Sequence, residues 1–500
     1  MSPAAAYAVN SVVDPDRLAV IDDERTVTYA QIDRRTNSLA RSLAELGAGP
    51  ERRFAILCRN GAAFVESVVT AAKLGADPLP LNTSFSASEV AAVIEREQPP
   101  VVIFEEDLAG LLDQVPANAP IARIVAGPAH DSAVGRSFER LATTGPAEPP
   151  EPPADEGRMV ILTSGTTGTP KGARLGRPGG LDPLASFLRI VPLNAASVVL
   201  IPAPLFHAHG YGQLMVAAGM GCTVVLPARF DPERTLALIE RHRVVAMAVV
   251  PVMLRRIMDL PPETRRRYDT TSLRTVVASG SALEPDLGRS FMDAFGPVLY
   301  NLYGSTEMSF ATIATPRDML EAPGTVGKPV PHTRVVLLGE DGRPVQAGEI
   351  GRIFVGSDMM FDGYTDDSAS REMSGDLMTV GDLGHMDAEG RLFVDAREDD
   401  MIVSGGENVY PAEVEAVLRG CKGVSEVVVV GVDDERFGQR LVGFAVPAAN
   451  AELSTEELDA YARENLARFK VPREFRLLDE LPRNATGKVL RRKLQDAATQ

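Results

Sequence analysis

Short, continuously apolar runs recur along this chain with helix-period stretches between them, and that alternation limits the fold more than any other feature. Phe54-Ala55-Ile56-Leu57, Val101-Val102-Ile103-Phe104, Val198-Val199-Leu200-Ile201 and Thr275-Val276-Val277-Ala278 are apolar throughout instead of alternating with polar residues. Strands of that kind are covered on both faces, and helices between them act as crossovers in a mostly parallel sheet. An α/β fold is expected. The chain has 500 residues, more than one hydrophobic core serves, so two or more domains are expected.

Changes of texture divide it further. Gly145-Pro146-Ala147-Glu148-Pro149-Pro150-Glu151-Pro152-Pro153 is low in complexity and rich in proline, and reads as an extended linker. After about Pro331 come Gly-punctuated strands, Arg334 to Leu338 and Arg352 to Val355, which point to a small β-rich subdomain over about 331–398. The remainder holds a helix (Pro411 to Arg419), a valine run (Val427 to Val430), a second helix (Ser454 to Leu466) and a basic terminal strand or helix. A large domain over 1–398 and a small α+β domain over 399–500 are expected.

The densest chemical signal is Leu162-Thr163-Ser164-Gly165-Thr166-Thr167-Gly168-Thr169-Pro170-Lys171-Gly172. Gly165 and Gly168 permit turns in which consecutive N–H groups converge on an anion. Hydroxyls of Thr163, Ser164, Thr166 and Thr167 add donors, and Lys171 adds a mobile cation. The order is not G-x-x-x-x-G-K-[ST], because Pro170 precedes the lysine and Gly172 follows it. Polyphosphate binding is expected, but not the chemistry of small GTPases or mononucleotide kinases.

Three later segments complete a constellation: Tyr303-Gly304-Ser305-Thr306-Glu307; Val380-Gly381-Asp382-Leu383-Gly384 with Arg397 to Ile402 and Ser404-Gly405-Gly406-Glu407-Asn408; and Pro482-Arg483-Asn484-Ala485-Thr486-Gly487-Lys488. With the Thr/Gly loop, in this order, they resemble the adenylate-forming superfamily of acyl-CoA synthetases, adenylation domains and luciferases. The wording is most similar to bacterial fatty-acyl or aryl-acyl CoA ligases. The resemblance implies the same division into domains, with a hinge at Asp399.

It also implies roles. Transfer of a carboxylate to AMP creates a mixed anhydride with a good leaving group, so ATP is the expected activator. The loop and Lys171 would bind the pyrophosphate half, Thr306 an α-phosphate oxygen, and Glu307 a Mg²⁺ bridging the phosphates. Tyr303 would pack on adenine, with Ser279-Gly280-Ser281 allowing close backbone approach and Asn301 and Gly304 in the same nucleotide site. Asp382 would take the ribose hydroxyls and Arg397 ribose or phosphate oxygen. Two departures stand here: Val380 where the family has Thr, and Ala396 where it has Gly. Lys488 would enter the site for adenylation, then leave as the small domain turns. Gly405 and Gly406 would then clear a path for the pantetheine arm of CoA. His207, in Phe206-His207-Ala208-His209-Gly210, falls where the family carries an aromatic or His beside the acyl carboxylate. Met253, Ala282, Met308 and Phe310, with Ser279, are expected in an apolar acyl pocket suited to an aliphatic or aromatic acid.

Charge enters as an exclusion. Lys+Arg 51 against Asp+Glu 68 gives a net charge of −17, which repels a nucleic-acid backbone. The partners expected are therefore small molecules, with a homodimer allowed. Cys58, Cys222 and Cys421 have no metal-ligand or disulfide spacing, and His207 with His209 lack a third ligand, so no zinc site is expected. The first residues lack a basic stretch before an apolar core, and no run is long enough to span a membrane; a cytoplasmic location is expected. The acceptor stays open between CoA and another nucleophile, including nitrite for N–N bond formation, and a non-catalytic adenylate-binding protein is disfavoured because every charged position is filled.

Overall fold

A computed structural model describes residues 2–127, 131, 134–163, 170–176, 182–339, 341–366, 372–397, 402–409, 411–448, 451–482, 489 and 491–499. The fold is mixed α/β, with parallel sheets in a large N-terminal domain and a separate C-terminal domain. Among the described residues, a nine-stranded sheet runs in the order Lys328–Pro329, Ser309–Ala314, Leu299–Ser305, Thr275–Ala278, Ala246–Val249, Val198–Leu200, Thr223–Val225, Leu18–Ile21, Thr26–Thr28. Its central strands are parallel and its edges antiparallel. A second sheet, Asp77–Pro80, Arg53–Leu57, Val101–Glu105, Ala122–Ala126 and Arg136–Ser137, is parallel throughout.

The apolar runs are the centres of these sheets because they are buried on both sides: Phe54, Ile56, Val102, Phe104, Leu200 and Val276 are fully buried. Each such side chain contributes about 1.5–3 kcal/mol. Asn60 joins the two sheets where their strands end. Its amide Nδ2 donates to the carbonyls of Ile201 (3.0 Å) and Ala203 (2.9 Å), and its Oδ1 accepts from the Leu205 N–H at 2.9 Å. Carboxyl ends of both parallel sheets thus face one region, the usual place for ligands in open α/β sheets.

After these come an antiparallel sheet built from Thr333–Leu338, Gly351–Ser357, Glu372–Ser374, Leu377–Met386 and Leu392–Arg397, and then the C-terminal domain. There the long hairpin Val424–Asp434 and Gly438–Pro447 is covered by helices Pro411–Leu418, Thr455–Asn465 and Arg491–Thr499. The Thr455–Asn465 helix begins with a reciprocal cap between Ser454 and Glu457. One expectation changes. The proline-rich stretch is extended but not a free linker: the Ala147 carbonyl accepts from Asn37 Nδ2 at 2.8 Å, and the Gly145 N–H donates to Ser38 Oγ at 2.9 Å. Helix Tyr29–Ala44 therefore carries it as a strap.

Candidate active site

The carboxyl ends of four neighbouring strands surround a cleft of about 1350 Å³. Val198–Leu200 leads to His207, Ala246–Val249 to Val250, Thr275–Ala278 to Ser279, Gly280, Ser281 and Ala282, and Leu299–Ser305 to Thr306 and Glu307; all of these line the cleft. Gly304 is dictated by sterics: at the bulge between Leu299–Ser305 and Ser309–Ala314, a Cβ would lie 1.9 Å from the Ser309 carbonyl oxygen. Asn301, which also lines the cleft, is held by a 3.5 Å contact to the Thr325 carbonyl.

On the nucleotide side, the Tyr303 hydroxyl donates to Asp382 Oδ2 at 2.6 Å, and Asp382 is 1% exposed. Asp382 and Arg397 are direct cross-strand partners, so the expected acid and cation sit at one register position. Gly381 beside them has φ +81°. The loop residues Ser164, Gly165, Thr166, Thr167 and Gly168 lie outside the described residues, as do Lys488, Asp399, where the hinge was expected, and the side chain of Arg397. What flanks the loop is described. Thr163 and Lys171 pair across an antiparallel hairpin, and the Pro170 carbonyl accepts from Arg96 Nη1 at 2.6 Å. Lys171 Nζ lies 6.0 Å from the centre of the Tyr364 ring, and the Tyr364 hydroxyl donates to Glu307 Oε1 at 3.0 Å. The adjacent Thr365 donates its N–H to the Gly172 carbonyl (2.7 Å) and its hydroxyl to Glu97 (2.7 Å). Glu307 and Lys171 are thus joined through one tyrosine.

On the opposite side His207 meets the C-terminal domain. Its Nε2 lies 2.9 Å from Glu407 Oε2, which also takes a 3.4 Å contact from Asn82 Nδ2. Burial opposes a charge on this imidazole, but Glu407, through its charge and the hydrogen bond, raises the pKa above the ordinary histidine value. His209 behaves oppositely: burial lowers its pKa to about 4 although the Val249 carbonyl, 3.1 Å from Nε2, favours the charged form. His209 is a neutral structural group; His207 is tunable. Gly406 has φ +86°, and a Cβ there would lie 3.1 Å from Val250 Cγ2, so the Gly405-Gly406 turn packs closely on the large domain.

A second cavity, about 790 Å³, lies between the domains and is lined in part by Phe206, Met253 and Glu407. Arg59, Arg229, Arg463 and Arg468 also line it. Phe85, Pro204 and Glu407 line both cavities, so the two adjoin there. Of the expected acyl-pocket residues, Ser279, Ala282 and Phe310 line the main cleft. Met253 lines the second cavity instead. Met308, 1% exposed, packs in the core with Ala173, Leu337 and Phe361 and lines neither. The apolar lobe is made by Leu184, Phe187, Met215, Val216, Leu302 and Phe310. Sequence reasoning assigned no role to Tyr364, Asn82 or Glu407; only Glu407 stood inside a quoted motif.

Comparison with known proteins agrees with this arrangement. Residues 8–365 match the family described as AMP-binding enzyme, and residues 413–488 the AMP-binding enzyme C-terminal domain. An indoleacetate–CoA ligase of Aromatoleum aromaticum is 32% identical over 487 residues, covering 95% of this chain and 94% of that protein. The amide bond synthetase McbA from Marinactinospora thermotolerans superposes with a TM-score of 0.89 at 28% identity, covering 99% of both chains. A double mutant of o-succinylbenzoate CoA synthetase (MenE) from Bacillus subtilis, bound with its product analogue OSB-NCoA, gives 0.86 at 29% identity and 98% coverage of both. MenE in complex with its acyl-adenylate intermediate gives 0.70 at 28% identity, again with 98% coverage of both.

Proposed function

The chain belongs to the AMP-binding enzyme family, and from that premise we propose that it activates an apolar carboxylic acid with ATP and passes the acyl group to the thiol of CoA. In the first step a carboxylate oxygen attacks the α-phosphorus, the acyl-adenylate forms and pyrophosphate departs. Asp382, positioned by Tyr303, holds the ribose; Thr306, Lys171 and the Thr/Gly loop hold phosphate oxygens; Lys488 offsets charge at the bond being made. The lone carboxylate of Glu307 suits Mg²⁺, which takes most of its ligands from substrate phosphates and water and would there neutralise phosphate charge.

In the second step the thiol sulfur attacks the acyl carbon, AMP leaves with the C–O electron pair, and the thiol proton passes to His207. With Nε2–H donated to Glu407, Nδ1 is the accepting nitrogen. The observation that carries this reading is the place of Glu407 between two cavities: beside His207 the main cleft adjoins a second cavity lined by four arginines, of which Arg59 and Arg463 are paired with carboxylates, and such a basic lining suits an extended anionic acceptor. The same place favours one other reading. A carboxylate beside His207 also suits an amine acceptor, the proton being taken from an ammonium, and the likeness to an amide bond synthetase supports it.

Pyrophosphate release over a panel of acids, followed by single-turnover consumption of purified acyl-AMP with CoA, an amine or nitrite, tests both. CoA-dependent consumption is expected. Consumption indifferent to CoA and accelerated by an amine would replace the first reading by the second.

A further inference from the structure

Lys470 is 1% exposed, and a lysine is almost never so deeply buried unless paired. Its ammonium sits between two carboxylates from opposite sides of the domain boundary. Glu413, on the C-terminal helix Pro411–Leu418, is hydrogen-bonded to it; Glu89, on the N-terminal-domain helix Ala87–Glu97, accepts at 3.1 Å. The rings of Phe85 and Phe469 close the site at 5.7 and 5.6 Å. Burial, opposed by Lys470 and helped by the like charge of Glu89, pushes the Glu413 carboxyl up to about 7.

Glu89 is fixed independently of Lys470. Its Oε2 accepts from the Ser86 N–H (2.8 Å) and hydroxyl (2.9 Å), which caps the helix, and its Oε1 faces Lys470. A preset carboxylate thus receives a cation from the other domain. The contact lies on a strip that also reaches the active site: Ser84 accepts from the Arg468 N–H at 3.3 Å, and Asn82 contacts Glu407 at 3.4 Å. Along Asn82 to Glu89, the C-terminal domain is therefore held at three points, the first beside His207. As a whole the chain superposes better on the MenE product-analogue complex (TM-score 0.86) than on its acyl-adenylate complex (0.70).

We propose that Lys470 and Glu89 are positioning residues that latch the C-terminal domain in the arrangement bringing Glu407 to His207, and so serve the second half-reaction and not the first. This rests on the two-step reading above. When the domain turns, Lys470 keeps Glu413, which travels with it, and gives up Glu89. Glu89 is the exchangeable partner.

Glu89→Gln removes the charge and keeps a group able to cap Ser86; Ser86→Ala removes the cap and keeps the charge. Spin labels on cysteines placed at exposed Glu106 and Glu456 report the interdomain distance, and the native Cys58, Cys222 and Cys421 are buried. Wild type and Ser86→Ala are expected to share one main distance, whereas Glu89→Gln shifts a large share of molecules to a second. Consumption of supplied acyl-AMP by CoA should fall about tenfold in Glu89→Gln, with pyrophosphate release during adenylation unchanged or faster. An unshifted distance, an equal loss in both half-reactions, or the same effect from Ser86→Ala would overturn the latch. If wild type forms no adenylate from any acid, the two-step reading fails, and the distance measurement still decides whether the latch exists.

Discussion

Glu407 and His207 are 200 positions apart in sequence, and their 2.9 Å contact makes the basicity of one depend on where the other's domain stands. In the contact His207 titrates above its ordinary value, so its neutral, proton-accepting form is lost as pH falls through that raised pKa. Glu407→Gln removes the carboxylate charge that raises the pKa, weakens the hydrogen bond to a neutral one, and leaves burial, which lowers it. The acid limb of the acyl-AMP-to-CoA step should therefore move to lower pH, with the plateau rate reduced roughly 10-fold for loss of a charged hydrogen-bond partner. Stopped-flow profiles of the second step against pH measure this; an unmoved limb removes His207 from proton transfer. Lys488 is argued from its motif alone. Lys488→Ala should slow adenylation ~10²- to 10³-fold and leave transfer from supplied acyl-AMP largely intact. Comparable losses in both assays would sink its single-step role. The nucleotide-site residues could be nominated from sequence because each sits in a short string, in which the structure gives Gly304 a steric purpose. Tyr364 could not, because its place between Lys171 and Glu307 depends on pairing between Gly363–Tyr364 and Lys171–Arg174, far apart in the chain.

Among elements, the strand ends do the positioning. Continuous apolar runs were readable as buried parallel strands, and Thr275–Ala278 has the bounds expected of it. Helix Ala208–Gly219 carries no charged residue, which suits one wall of an apolar lobe, yet its pattern alone did not say which cavity it would face. The acyl-pocket expectation missed for that reason. Met308 and Met253 are apolar and near motifs, but the turn after Leu299–Ser305 points one into the core, and the start of Pro251–Met258 places the other toward the acceptor side. The hairpin Ile402–Ser404 and Glu407–Val409 delivers Gly406 against Val250. Gly406→Leu adds a side chain at φ +86° where even a Cβ is tight. Thioester formation should drop by at least ~10²-fold while acyl-AMP still accumulates, read by quenched-flow chromatography of the adenylate. An unchanged thioester rate would move the acceptor path away from this hairpin.

For the molecule as a whole, the proposed two-step reading has the steps call on different faces of the C-terminal domain, and the hinge proposed at Asp399 must let it turn. Asp399→Pro holds φ near −65° and should slow the second step much more than the first, as single-turnover rates of each would report. Wild-type rates in both steps would put the hinge elsewhere. By itself the sequence determined the α/β class and the family, and it nominated the nucleotide-handling residues, because periodicity and short motifs are local properties of the chain. The tertiary structure alone decided that Glu407 meets His207, that a second cavity adjoins the first there, and that Lys470 is shared by Glu413 and Glu89. Those contacts join segments tens to hundreds of residues apart, and burial, which gives each charge its strength, exists only once the domains have closed on one another.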